Sequence, residues 1–332
     1  MPRALQPRPL YREILRDAFL LAWKEKRFWP LALLTVFLQT AGIYDVFFLS
    51  VRGALQSPVA SDQGWQTYVT QVSRLNLLEK FALSQSILLS LAIIFLILFF
   101  SVIAQGTLVA CLDRVQQTNG RGGFRQALQA AARRVVPLAV LNLLMVGIAS
   151  LGSFALQSLA GALPNLPFGP AWFVLAAIIY LIVLFVATSL HLFALNGVMA
   201  DGMTLHEALE HAMSLLRKTW ITVAETAFCM MIIGACMFIA AMLLSFFAGL
   251  PAIGFLFASL YLGLPKIFVF ANIAISAIVF LAAIIAGLFA VNFQYATWNR
   301  LYRRAMEGTA HSKIIRVVHA LTTRRARSST AR

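Results

Sequence analysis

Six apolar stretches, each long enough to cross a bilayer, constrain this chain more than any other feature. An α-helix rises about 1.5 Å per residue, so about 20 apolar residues cross ~30 Å of hydrocarbon. Only 12% of the 332 residues are charged, whereas soluble domains carry about 25%. The sequence therefore predicts an all-α integral membrane protein with six transmembrane helices, at 30–51, 84–112, 135–162, 171–199, 220–248 and 267–298.

An amphipathic segment occurs three times, directly before the first, third and fifth predicted spans. Its clearest copy is 204–220, where apolar residues recur at helical spacing and Thr204 forms a capping box with Glu207. Each copy alternates a large apolar residue with an alanine: Leu15, Ala18, Phe19 and Ala22; Phe124, Ala127, Leu128 and Ala131; Leu205, Ala208, Leu209 and Ala212. We therefore expect three repeated hairpins, each preceded by an amphipathic helix.

The distribution of Lys and Arg predicts the orientation in the membrane. Of these 27 basic residues, 23 lie in residues 1–27, in the connection 113–134, in 204–220 and in the tail 300–332. The alternate connections hold only Arg52, Arg74, Lys80 and Lys266. Basic residues are enriched in cytoplasmic connections. Both termini and all three amphipathic helices are therefore predicted to face the cytoplasm, with the protein in the cell (inner) membrane.

Three regions are expected along the chain. Residues 1–9, with three prolines, form a disordered N-terminal arm; 10–299 form a single membrane domain; and 300–332 form a basic cytoplasmic tail. Residues 249–266 are apolar but interrupted by glycines and two prolines, Pro251 and Pro265. Proline and glycine are poor helix formers. We therefore expect this segment to dip into the outer interface and not to form a further span.

Two stretches resemble a known group of proteins. One runs from Ala22 to Asp45 and contains Trp-Lys, Trp-Pro and Ala-Gly-x-Tyr-Asp; the other runs from Gly106 to Leu143 and contains Phe-Arg-Gln-Ala-Leu. Both resemble uncharacterised six-span bacterial proteins, which are similar to YciC-like inner-membrane proteins and to the membrane domain fused to some glycerophosphodiester phosphodiesterases. The resemblance implies the fold and a bacterial inner membrane, and no reaction. The phosphodiesterase barrel, which needs about 250 residues, has no counterpart here.

Each predicted span carries a strong hydrogen-bonding side chain in its cytoplasmic half: Gln39, Gln105, Asn142, His191, Glu225 and Asn292, with Asn196 and Gln294 at shallower positions. A charged group inside the membrane costs several kcal/mol, so Glu225 is expected to face the bundle interior or to be protonated. One interpretation is a cytoplasm-facing polar cavity in which Glu225 and His191 titrate protons or bind substrate. The other is hydrogen bonding between helices, worth about 0.6 kcal/mol per contact.

Other motifs have simpler interpretations than a site. His206, Glu207, Glu210 and His211 fail the zincin spacing and predict pairs on a solvated helix face. Gly120, Gly122 and Gly123, with nearby arginines, predict a flexible turn, with an anionic lipid headgroup as the functional alternative. Cys229 and Cys236 are expected to be buried thiols. No catalytic set can be assembled, so we expect neither an enzyme, nor a metal, nor a cofactor.

Basic side chains next to the spans are predicted to contact anionic lipid headgroups, since each contributes about 1 kcal/mol near such a surface. They are Lys24, Lys26, Arg27, Arg133, Arg134, Arg303 and Arg304. We expect the basic tail to contact the same surface and not nucleic acid. The sequence favours a membrane scaffold or accessory protein that acts on envelope organisation or on other membrane proteins. The alternative is a small-solute or lipid-related transporter.

Overall fold

The computed structural model describes residues 10–35, 38, 77–118, 123–162, 169–263 and 265–308. These residues are almost entirely helical, and no β-strand occurs among them. A 3-10 turn, Lys26–Phe28, precedes the helix that begins at Trp29, and a π-helical turn, Gly197–Asp201, follows the helix that ends at Asn196. The helices are α1 (Leu10–Lys24), α2 (Trp29–Thr35), α3 (Leu77–Thr118), α4 (Phe124–Arg133), α5 (Val135–Ala162), α6 (Gly169–Asn196), α7 (Leu205–Leu262) and α8 (Pro265–Met306).

Five of these helices, α3 and α5 to α8, are long and apolar enough to cross a membrane. The chain is therefore a helical multi-pass membrane protein, as the sequence predicts. The third predicted span, 135–162, coincides with α5. The first predicted span lies mostly outside the described residues, as do Gln39, the arm 1–9 and most of the tail.

Helix α7 corrects the prediction for residues 249–266. The helix continues from Trp220 through Pro251 to Leu262, and it ends at Gly263, whose φ of 63° lies in the left-handed region. Proline removes one backbone hydrogen bond, but apolar membrane helices tolerate it because local adjustments and neighbouring groups satisfy the freed carbonyl. Residues 249–262 are therefore a helical extension of the fifth predicted span.

The chain divides into two compact units. The first consists of Met1–Leu33 with Glu210–Arg332, and the second is Leu34–Leu209. In their described parts, the first unit contains α1, all of α8 and most of α7. The second contains α3 to α6 and the first turn of α7. The single domain 10–299 that the sequence predicts remains a prediction.

Burial changes abruptly along the long helices. In α3 every side chain from Ser84 to Phe100 is exposed, whereas nearly all of those from Ser101 to Val115 are buried. In α8 the exposed large apolar side chains run from Val269 to Ile285, and, apart from Ala271, the buried side chains begin at Phe289. The exposed run of α3 is about 25 Å long at ~1.5 Å per residue, which is close to the ~30 Å thickness of bilayer hydrocarbon. These exposed apolar ends suit lipid, and the protein core begins where they stop.

The amphipathic helices bury the alanines of the repeated motif, whereas the bulkier residues of the motif are exposed or half-buried. All six alanines of the repeated motif are at most 2% exposed: Ala18, Ala22, Ala127, Ala131, Ala208 and Ala212. Phe19 and Phe124, by contrast, are each 49% exposed, and Leu128 is exposed as well. The sequence predicts one continuous apolar face. The structure divides that face into a buried alanine edge and an exposed bulky edge, because the small side chain lets the neighbouring helix approach.

In the second unit, two glycines mark where the alanine edges meet a neighbour. A Cβ added to Gly106 of α3 would lie 3.1 Å from the Ala131 Cβ, and one added to Gly197 would lie 3.4 Å from the Ala208 Cβ. Arg114 also donates to the Gln126 side chain at 2.9 Å. The pairs 114 with 126 and 106 with 131 show that α4 runs antiparallel along the end of α3.

In the first unit, α1 runs antiparallel along α8. Asp17 pairs with Arg300 at 2.6 Å. Farther along α1, the rings of Phe19 and Trp23 meet the ring of Phe289 edge-on, at centroid distances of 5.1 and 6.0 Å. Contacts therefore move toward the middle of α8 as α1 proceeds, so α1 follows the axis of α8 over most of its length.

A break in helical geometry follows each amphipathic helix. The backbone angles are φ −93°, ψ 55° at Glu25, φ −114°, ψ 20° at Arg134 and φ −121°, ψ 15° at Thr219. Glu25 and Arg134 occupy equivalent positions in the repeat, and Thr219 comes a turn later. These breaks let each surface helix pack on its neighbour while the helix that follows takes another direction.

Candidate functional site

A layer of buried polar side chains crosses α3, α5 and α6 in the second unit. Gln105, Asn142, His191 and Asn196 are all at most 5% exposed. The Asn142 side-chain amide donates to Gln105 Oε1 at 2.7 Å and to the Leu138 carbonyl of its own helix at 2.9 Å. The structure therefore brings together two of the predicted site residues through a hydrogen bond between helices α5 and α3.

His191 is the least satisfied member of this layer. The backbone carbonyl of Leu141 faces its ring, yet within the described part of the chain neither ring nitrogen has a partner at regular hydrogen-bond geometry. Asn142 Oδ1 likewise lacks a partner among the described residues. A buried polar atom without a hydrogen bond costs about 1–3 kcal/mol. The layer thus combines one interhelical hydrogen bond with three buried atoms that lack a regular partner among the described residues.

Asn196 illustrates a different use of a buried amide. Its amide donates to the Leu192 carbonyl at 2.7 Å, one turn back on the same helix. Three buried hydroxyl residues in the same unit do the same: Ser101, Thr107 and Ser189 donate to Ile97, Ile103 and Phe185 at 2.7–2.8 Å. Such bonds satisfy a buried donor within its own helix.

In the first unit, the predicted site residues are Glu225 on α7 and Asn292 on α8. Asn292 is buried, and its amide donates to the Leu288 carbonyl of its own helix at 3.0 Å. Glu225 is half-buried. Because His191 belongs to the second unit, the predicted pairing of Glu225 with His191 remains a prediction. Gln39 lies outside the described residues.

Tyr180 is a contact residue that the sequence analysis misses. Its hydroxyl lies 3.0 Å from the Ser153 Oγ and donates to the Ala149 carbonyl at 3.1 Å, which joins α6 to α5. Gly152 makes room for the tyrosine ring, since an added Cβ would lie only 2.1 Å from Tyr180 Cε2. The sequence signal for this contact was a tyrosine in one apolar span and a serine in the preceding one.

Arg134 has a partner inside the second unit. Its guanidinium donates to the Val198 carbonyl in the π-helical turn, close to Gly202, whose φ is 78°. The last carbonyls of a helix lack intrahelical partners, and a cation near them is favourable. Arg134 therefore caps the end of α6, and its predicted lipid contact remains a prediction.

The other basic residues predicted to contact lipid differ in what surrounds them. Arg27 pairs with Glu25 at 2.6 Å, and Arg304 approaches Glu13 at 4.0 Å. The Lys26 ammonium lies over the ring of Trp23. The remaining members are Lys24 and Arg133, which are exposed, and Arg303, which is half-buried. The arginines with carboxylate partners are therefore less available than the lysines for contact with anionic lipid headgroups.

The segment around Thr204 contains the capping box that the sequence predicts. The Thr204 backbone N–H donates to Glu207 Oε2 at 2.9 Å, and the Glu207 N–H donates to Thr204 Oγ1 at 3.4 Å, so the capping box is present. Glu207 thus caps a helix. Among the described residues, no three His, Cys, Asp or Glu side chains come together as metal ligands would.

The prediction of two buried thiols on α7 is wrong. Cys229 is half-buried and Cys236 is exposed. The reason is the change in burial along α7: beyond Met230, which is buried, most of the described apolar side chains face outward. A thiol on this part of the helix therefore belongs to an exposed apolar surface.

Comparison with known proteins adds no relative. No protein-family model, curated protein or solved structure matches the chain. The resemblance to YciC-like proteins therefore remains a prediction.

Proposed function

We propose that this chain is a structural scaffold or accessory protein of a bacterial inner membrane, with no catalytic role. The observation that carries this proposal is the hydrogen bond between Asn142 and Gln105 inside a polar layer that is at most 5% exposed. Hydrogen bonds between buried amides hold membrane helices together. A packed layer of this kind favours assembly over passage of a solute.

The proposed topology has six spans in three hairpins and both termini in the cytoplasm. It is supported by the equivalent alanines of the three amphipathic segments, which are buried alike before α2, α5 and the apolar part of α7. The bias of 23 basic residues to 4 supports the orientation. The proposed partners are the bilayer, its anionic headgroups and other membrane proteins.

The alternative proposal is a transporter for a small solute or a lipid-related molecule. It is favoured by one observation, the buried ring of His191, whose two nitrogens have no regular hydrogen-bond partner in the described part of the chain. A substrate or a proton path would give these atoms partners. Glu225, half-buried on α7, would be the acidic group of such a path.

Topology can be tested with single cysteines, introduced into a cysteine-free variant near positions 120, 165, 203 and 258. Labelling whole cells and inverted vesicles with an impermeant thiol reagent reports the side of each position. We expect positions 120 and 203 to react from the cytoplasm, and 165 and 258 from the outside. If 120 and 203 react from opposite sides, the hairpin topology is wrong.

The same cysteine-free variant distinguishes the scaffold proposal from the transporter proposal. We expect Asn142→Cys to resist a small water-soluble thiol reagent, because the layer is packed. Gln129→Cys, on the exposed side of α4, is the reactive control. Rapid labelling of Asn142→Cys from the cytoplasm would favour the transporter and contradict the closed layer.

A further inference from the structure

A lysine held between two tryptophans occupies the link from α1 to α2. The Lys26 ammonium lies 5.3 Å from the Trp23 ring centroid and 6.0 Å from that of Trp29. The Trp29 indole N–H donates to the Ala22 carbonyl at 3.2 Å, and the Trp23 ring rests against Phe289. Both indoles therefore have other contacts in the protein, and both rings lie within cation–π range of the ammonium group.

Of the two basic residues inside this link, Lys26 and Arg27, Arg27 is the one with a carboxylate partner among the described residues. The nearest carboxylate along the chain, Glu25, lies 2.6 Å from the Arg27 Nε, and the Arg27 guanidinium lies over the Phe28 ring at 4.9 Å. Among the described residues, Lys26 forms no salt bridge with a carboxylate, and it is exposed. An aromatic face attracts a cation but does not cancel its charge.

The link also lies at the boundary between exposed and buried chain. Trp23 is level with Phe289, the point on α8 where exposed apolar side chains give way to buried ones. Phe19, Trp23 and Leu33 are themselves exposed. Tryptophan concentrates at the headgroup level of membranes, and lysine extends its ammonium toward the lipid phosphates. The position therefore matches the edge of the hydrocarbon layer.

We propose that Trp23, Lys26 and Trp29 form a binding site for one anionic phospholipid, with the lysine ammonium on the lipid phosphate and the indoles beside the glycerol. The proposal rests on the proposed function, because it needs α1 at the membrane surface. It assigns the lipid contact to Lys26 and excludes the neighbouring Arg27, whose charge is already paired.

The test compares lipid binding by the purified full-length chain and two matched variants. Lys26→Gln removes the lysine charge, whereas the double variant Glu25→Gln, Arg27→Gln removes the neighbouring ion pair and leaves the local net charge unchanged. Native mass spectrometry in detergent, with phosphatidylglycerol or phosphatidylcholine added, gives the affinity for each lipid. We expect Lys26→Gln to weaken phosphatidylglycerol binding about fivefold, the weight of one basic side chain near an anionic surface. The double variant should match the unchanged chain, and binding of phosphatidylcholine should be equal in all three.

A third variant tests the aromatic part of the site. Trp23→Leu should also weaken phosphatidylglycerol binding, and unchanged thermal unfolding would show that the fold is intact. Equal losses in Lys26→Gln and in the double variant, or no loss in Lys26→Gln, would overturn the proposal. Displacement of the lipid by millimolar inorganic phosphate would identify a free-phosphate site instead. Lipid affinity in detergent does not depend on topology, so a failure here is distinct from a failure of the cysteine labelling.

Discussion

Asp17 and Arg300, which are 283 positions apart, meet in a salt bridge of 2.6 Å. The contact joins α1 to α8, and the edge-on rings of Phe19 and Phe289 continue the same interface. Both charged side chains keep partial access to solvent, at 27% for Arg300 and 42% for Asp17. The salt bridge therefore specifies how α1 aligns on α8 more than it stabilises the pair.

Replacing Asp17 with Asn should lower the free energy of unfolding by less than ~1 kcal/mol, because exposed pairs contribute little. Arg300→Gln should have a similar effect, and the double variant should lose less than the sum of the two. Thermal unfolding in detergent measures all three. Strictly additive losses would show that the two side chains do not interact in solution.

Asn142→Leu should destabilise the second unit by about 0.6–1 kcal/mol, because it removes the hydrogen bond to Gln105. Asn292→Leu is the matched control, since Asn292 is equally buried but donates to its own helix. We expect that control to be close to neutral. Equal losses in the two variants, measured by unfolding in detergent, would mean that the interhelical bond has no special weight.

Gly152→Ala should cost about 1–3 kcal/mol through overpacking, because the new methyl group would meet the ring of Tyr180. The ring cannot move easily, since its hydroxyl is bonded to Ser153 and Ala149. Gly147→Ala lies on the same helix with nothing within 4 Å of the added Cβ. There alanine should stabilise the helix by up to ~1 kcal/mol. Similar thermal shifts in the two variants would contradict this account.

Ala131→Leu should destabilise by about 1–3 kcal/mol, because a fully buried alanine edge has no room for a larger side chain. Leu128→Ala, three positions earlier on the exposed bulky edge, should change the free energy of unfolding little. The pair measures which edge of the α4 face touches protein. A larger loss from Leu128→Ala would reverse the assignment of the two edges.

Local patterns were sufficient for several features of the fold. Hydropathy places 135–162 in one helix, and α5 has these bounds. The spacing of Thr204 and Glu207 predicts the capping box that is present. Each of these features depends on residues within a few turns of one another, so the sequence alone contains the information.

Features that depend on a neighbouring helix could not be predicted in this way. Alanine and leucine are both apolar, so periodicity cannot tell that Ala127 is buried while Leu128 is exposed. Nothing in the spacing selects Gln105, 37 positions away, as the partner of Asn142. The interruption expected at Pro251 was wrong because the cost of proline in a soluble helix does not carry over to an apolar one.

The pairing of α1 with α8 has a consequence for biogenesis. Phe19 and Trp23 are synthesised more than 260 residues before Phe289, the residue on which their rings pack. The aromatic, amphipathic helix α1 therefore has no α8 partner until the segments between them have been synthesised. A chain truncated before Phe289 would leave the aromatic side chains of α1 without their partner, and we expect quality-control proteases to degrade it.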